Sequence, residues 1–235
     1  MIINGFLLNG IYTQNAMANN AIYLLFVLLC IIVPYLIGSL NFAVIISKSR
    51  YNDDVRTHGS GNGGMTNMLR TFGKRAAILT LAGDMVKAVI AVLFGCVLLG
   101  LFGGYLASFF VVFGHMFPIF FKFKGGKGVA TAAAAICVLY PLVFAVMLLC
   151  FIIVVCGTKY VSLGSIMSSL LYPILVNRFD ALFNIQFGFD SLFALLTAAF
   201  VVFMHRSNIK RLMEGTESKL SFTKKSKENV DDEGK

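Results

Sequence analysis

Of 235 residues, 58% are hydrophobic and only 13% charged, which excludes a soluble globular enzyme and points to a bilayer protein. The net charge of +9 would suit a nucleic-acid binder, but the cations sit in short loops between apolar runs, where they set membrane orientation instead. Cys30, Cys96, Cys137, Cys150 and Cys156 all fall inside apolar runs with no CxxC pair, so neither a disulfide framework nor a metal site is expected.

Along the chain, the first 20 residues carry no Lys or Arg. The apolar run that follows is too long for the core of a signal peptide and reads as a retained span. Hydropathy predicts spans over 22–46, 76–102, 104–121, 128–140, 142–157, 162–177 and 182–204, several near the ~20 residues a crossing needs. Tyr140-Pro141 divides one long run into two short crossings, because proline forfeits a helical hydrogen bond. Charge decides the count. Every Lys and Arg except Lys87 and Arg178 lies in 48–75, 122–127, 157–161 or from 205 onward. Seven spans put all of those segments on the cytoplasmic side, whereas six would leave the cationic tail outside.

The expected fold is therefore all-α: a polytopic integral membrane protein of the cell's inner (cytoplasmic) membrane with seven transmembrane helices. Its N-terminus lies outside and its C-terminus is cytoplasmic. Residues 1–21 form an extracytoplasmic extension, 22–219 a single domain, and 220–235 a polar tail with too little apolar content to fold. The chain shows no internal repeat, which weakens a transporter made of inverted repeats.

Three polar segments interrupt the hydrocarbon. The first runs Gly59-Ser60-Gly61-Asn62-Gly63-Gly64-Met65-Thr66-Asn67. Its glycines permit positive φ and expose N–H groups that can converge on an anion. Arg56 and Arg70 flank it with charge and a bidentate geometry for phosphate. Thr66 and Asn67 stand where a helix begins. The second, Lys124-Gly125-Gly126-Lys127-Gly128 after His115-Met116-Phe117-Pro118, resembles a phosphate loop but lacks the Ser or Thr that would hold Mg²⁺. The third is split. Ser162-Leu163-Gly164-Ser165 opens a span, and His205, Asn208 and Arg211 follow the last span on one helical face. His205 at a membrane boundary can contact phosphate or move a proton. Asp84 and Lys87, three apart inside the second span, are expected to pair with each other.

With those residues in view, the chain resembles the bacterial membrane acyl-phosphate:glycerol-3-phosphate acyltransferase family. The resemblance rests on DVRTHGSGNGGMTNMLR at 54–70, GDMVK at 83–87, GHMFPIFFKFKGGKGVAT at 114–131, KYVSLGSI at 159–166 and HRSNIKRLMEGTESK at 205–219. Met65 and Ala88 depart from that family's usual residues. The resemblance implies a seven-span fold with a cytoplasmic site. It also implies transfer of a fatty acyl group from acyl-phosphate to the 1-hydroxyl of glycerol 3-phosphate, giving lysophosphatidic acid and inorganic phosphate in phospholipid synthesis. Acyl-phosphate, glycerol 3-phosphate and membrane lipids are the expected partners, with no nucleic acid and no cofactor or metal.

Ser60, Lys127 and His205 are assigned to catalysis. Asn62, Thr66, Asn67 and Arg70 are assigned to substrate binding from the first segment, and Gly125, Gly126 and Gly128 from the second. Ser162, Ser165, Asn208 and Arg211 complete the binding set. The hydroxyl proton passes to a substrate phosphate or to His205. A transporter of organic phosphates is the rival from another class, and a Mg²⁺-dependent phosphotransferase on lipid headgroups is the rival enzyme.

Overall fold

The computed structural model describes residues 16–183 and 188–220. All but the first residue of the tail expected over 220–235, and most of the extension over 1–21, lie outside the described residues. All regular structure among the described residues is helical.

Helix α1 (Ala16–Gly38) and helix α2 (Phe42–Tyr51) replace the single span that hydropathy reads over 22–46. The chain breaks at 39–41, where the Asn41 side chain accepts a hydrogen bond from the Val44 N–H at 3.0 Å and starts α2. An N-cap of this kind satisfies a donor that an uninterrupted helix would bond internally. A 3₁₀ turn (Val55–Thr57) and the eight-residue α3 (Met65–Phe72) follow.

Helix α4 (Lys74–Met116) contains non-helical backbone at Leu99 and Gly100, with φ +64° at Gly100. Gly95 and Gly103 lie against each other across this break, as do Cys96 and Gly104. The 43-residue stretch therefore doubles back into two limbs, a few residues earlier than hydropathy places the turn. A second 3₁₀ turn (Ile119–Phe121) leads to α5 (Val129–Leu139), α6 (Pro141–Thr158), α7 (Val161–Leu182), α8 (Phe189–Met204) and α9 (Arg206–Met213). Pro141 opens α6 as the Tyr140-Pro141 reading anticipates; its fixed φ and missing N–H suit a first helical turn.

By length and apolar content alone, Asn19–Tyr51, Lys74–Phe121 and Pro141–Thr158 can cross a bilayer, and α8 with α9, bent by 56°, makes a fourth. Exposure runs opposite to that of a soluble protein. Leu24, Ile78, Leu142 and Ile153 face outward, while Asp84, Lys87, His115, Thr131 and Ser162 are buried. Helices in lipid pack through small residues that let backbones approach. Here Gly38 sits on the Val111 backbone and Gly114 on the Tyr35 carbonyl, seating α1 against the second limb of α4.

Candidate active site

The first glycine segment is shaped from within. Gly59 and Gly61 take φ of +56° and +69°, which a side chain would strain. The fully buried Asn67 holds the loop: its Nδ2 donates to the carbonyls of Val55 (2.9 Å), His58 (3.0 Å) and Asn62 (3.1 Å). Its Oδ1 accepts the Ser60 N–H at 3.1 Å. An amide engaged by four loop groups fixes the loop from beneath.

The second segment is tied directly to the first. The Gly63 N–H donates to the Gly125 carbonyl at 3.4 Å, and Asn41 Nδ2 donates to the Gly63 carbonyl at 3.1 Å. The Gly126 N–H donates to the His115 carbonyl at 3.1 Å. A Cβ on Gly125 would overlap that carbonyl, and one on Gly126 the His115 ring. Gly125 and Gly126 thus allow close packing on the end of α4 and lie outside the cavity lining.

Arg56, read from sequence as a phosphate cation, is instead a strut. It grips Asp54 at 2.7 and 2.9 Å and donates to the carbonyls of Phe121 (3.0 Å) and Lys124 (3.1 Å). The Arg56 hydrogen bond draws the Asp54 carboxyl down to about 2, against its partial burial.

Lys127 projects from this joined pair of loops. Its Nζ donates to Asn208 Oδ1 at 2.5 Å, and Asn208 Nδ2 donates to Glu217 at 2.7 Å. Arg211 Nε donates to the other oxygen of the same carboxylate, also at 2.7 Å. Burial lowers the Lys127 ammonium to about 8, with Arg211 and Arg70 adding to the effect and Glu217 opposing it. Burial pushes the Glu217 carboxyl up, but hydrogen bonds from Asn208 and Arg211 more than offset this and hold it below the ordinary value. His205 is nearly fully buried, with Nδ1 2.7 Å from the Val201 carbonyl. A carbonyl only accepts, so Nδ1 carries the proton and Nε2 keeps its lone pair.

These groups surround one cavity of about 390 Å³, within the range of small-molecule sites. Ser60, Asn62, Thr66, Asn67, Arg70, Lys127, Gly128, Ser162, Ser165, His205 and Asn208 all line it. Arg211 lines a recess of about 170 Å³ beside it, together with Ser60, Asn62, Lys127 and Arg206. The three polar segments therefore meet in one place. Below this cationic mouth the walls become apolar between α5, α6, α7 and α8. The Ser165 and Ser169 hydroxyls donate back to Val161 O (2.9 Å) and Ser165 O (2.7 Å), turning their polarity into the helix.

Sequence reasoning leaves Glu217 unassigned, although an acid within a basic segment hinted at a local partner. It also leaves His115 without a role. Asp84 and His115 both line the cavity floor near the mouth. Lys87 Nζ stands 2.8 Å from Asp84 Oδ1, as the expected pairing has it, and 3.0 Å from His115 Nδ1. Lys87 also donates to the Gly38 (2.9 Å) and Leu40 (2.6 Å) carbonyls, which the break after α1 leaves open.

Residues 28–215 match the family profile described as Glycerol-3-phosphate acyltransferase. A glycerol-3-phosphate acyltransferase of Thermoanaerobacter sp. (strain X514) is 45% identical over 197 residues, covering 83% of this chain and 96% of that protein. One from Clostridioides difficile (strain 630) is 43% identical over 202 residues, covering 82% and 95%. Among solved structures, the chain is similar to PlsY (YgiH), an integral membrane glycerol 3-phosphate acyltransferase. In its glycerol 3-phosphate form the TM-score is 0.75 at 33% identity, over 83% of this chain and 96% of that one. In its lysophosphatidic acid form the TM-score is 0.73 at 31% identity, over 84% and 97%.

Proposed function

The chain belongs to the glycerol-3-phosphate acyltransferase family, and on that premise we propose that an acyl-phosphate is its donor and inorganic phosphate its second product. It acylates glycerol 3-phosphate to lysophosphatidic acid. The observation that carries the donor reading is one cavity with a cationic mouth and an apolar arm. Such a shape suits a substrate that is phosphate at one end and hydrocarbon at the other.

In this proposal the 1-hydroxyl oxygen of glycerol 3-phosphate attacks the acyl carbonyl carbon, and the bond from that carbon to the phosphate oxygen breaks. Lys127, Arg70 and Arg211 offset the negative charge of two phosphates brought together, and Lys127 also offsets charge developing on the leaving group. His205 Nε2 accepts the 1-hydroxyl proton as the new bond forms and hands it to the departing phosphate. An acyl-phosphate is already activated, so alignment and electrostatics suffice without a covalent enzyme intermediate. Ser60, Asn62, Thr66, Ser162 and Asn208 orient the two substrates, while Asn67, Gly125 and Gly126 act by shaping the loops.

The proposed topology has seven crossings, with α1, both limbs of α4, and α5 to α8 spanning the bilayer and the cationic mouth facing the cytoplasm. The concentration of basic residues at that end supports it. The test is to offer palmitoyl-phosphate, palmitoyl-CoA and palmitoyl-acyl carrier protein to purified protein with labelled glycerol 3-phosphate. Label should enter lysophosphatidic acid from the acyl-phosphate alone. Turnover with a thioester and none with the acyl-phosphate would overturn the donor assignment.

A further inference from the structure

On α5, α6, α7 and α8 the lining of the apolar arm stops partway along each helix. On α7 the lining runs from Ser162 to Tyr172, and on α8 from His205 to Thr197. On α5 it stops at Ile136, and on α6, which returns toward the mouth, it begins at Phe144. At 1.5 Å per helical residue the arm is roughly 15 Å deep, about half the hydrocarbon thickness of a bilayer.

One turn further on, the lining is replaced by a packed plug. Tyr140, Val143, Val176 and Ala194 are buried and form one cluster with Ile136 and Tyr172. Behind that plug lies a polar layer. The buried Tyr140 hydroxyl donates to the buried Asp190 at 2.7 Å and stands 3.0 Å from the hydroxyl of the half-buried Tyr105. A methyl terminus pushed past Tyr172 would have to displace close-packed side chains and then meet buried polar groups, both of which cost free energy.

We infer that Tyr172, backed by this plug, is the gauge that sets the acyl-chain length the enzyme accepts. The inference rests on the reading of the arm as the acyl site. A chain that fits gains from each methylene it buries, and a chain that outgrows the arm must bend or slip out between helices. Each methylene excluded forfeits about fourfold in kcat/KM. Tyr172 is placed to decide this because it is the last α7 residue in the lining and also packs in the plug. The Ser165 and Ser169 hydroxyls above it are turned into their own helix, and the Ser168 hydroxyl donates to the Met147 carbonyl of α6 at 3.2 Å, so all three are spent on backbone.

The experiment measures kcat/KM for a saturated series from decanoyl- to stearoyl-phosphate. The wild-type profile should rise with length and then drop. Tyr172→Ala, which opens the end wall, should move the optimum to longer chains by at least two carbons. Ala133→Leu, on the α5 wall one turn above Ile136, should move it to shorter ones and provides a second reading if the first variant fails to fold. Equal kcat/KM across the series, or an optimum that folded Tyr172→Ala leaves in place, would overturn the gauge, as would an optimum unmoved by Ala133→Leu should the first variant not fold. A donor misassignment shows up differently, as no product from any acyl-phosphate. The same series offered as acyl-CoA would then still report the length limit.

Discussion

Lys127 carries a charge that in water would persist to about pH 10, but here burial and two neighbouring guanidinium groups bring its ammonium down to about 8. The protonated form is the one that attracts phosphate, so kcat/KM for glycerol 3-phosphate should fall as pH rises through about 8. This parameter reports the free enzyme's ionisations. Lys127→Arg keeps its charge at all accessible pH values, so its activity, though reduced by altered geometry, should lose that alkaline limb. An unchanged limb in Lys127→Arg would show that some other group titrates there. Asn67 makes a separate prediction. Replacing it with Ala leaves the Ser60 N–H and three loop carbonyls without a side-chain partner. With roughly 1–3 kcal/mol for a buried group left unsatisfied, Asn67→Ala should lower the thermal midpoint in detergent and nearly abolish activity. If the midpoint held while KM alone rose, Asn67 would be a ligand and not a loop clamp.

Among the elements, the α4 hairpin rests on two glycines. A methyl group on Gly103 would collide with the Gly95 backbone, and overpacking of this kind costs about 1–3 kcal/mol. Gly103→Ala should therefore lower stability in a detergent thermal-shift measurement, while Gly157→Ala, which meets open space, should not. Element boundaries also show what the sequence could and could not reveal. Pro141 and the start of α3 beside Thr66 were legible, because each is dictated by a local residue preference. The break at 39–41 was not. Hydropathy sees Gly38 to Asn41 as part of one apolar run, and the interruption is stabilised by Lys87, 47 and 49 positions away in sequence from the carbonyls it bonds. Arg56 misled for a similar reason. An arginine beside a glycine loop reads as an anion ligand until the Phe121 and Lys124 carbonyls that occupy it are known.

For the molecule as a whole, the meeting of three distant polar segments was readable from their common charge and from the alternation of spans. The apolar arm was not, since its walls come from four helices that share no local pattern. Orientation can be tested at its two extremes. In a cysteine-free background, Lys122→Cys beside the mouth should react with a membrane-impermeant thiol reagent only from the cytoplasmic side. Arg178→Cys, near the far end of α7, should react only from outside. Labelling of both from one side would end the seven-crossing topology. Glu217 lends the architecture a temporal consequence. It reaches the mouth from beyond α9, and just past it the Leu220 N–H is anchored to the Lys159 carbonyl at 2.8 Å. Every helix must have left the ribosome before this carboxylate can arrive. A nascent polypeptide that stalls short of it would lodge in the bilayer with Asn208 and Arg211 lacking the carboxylate that ties them together.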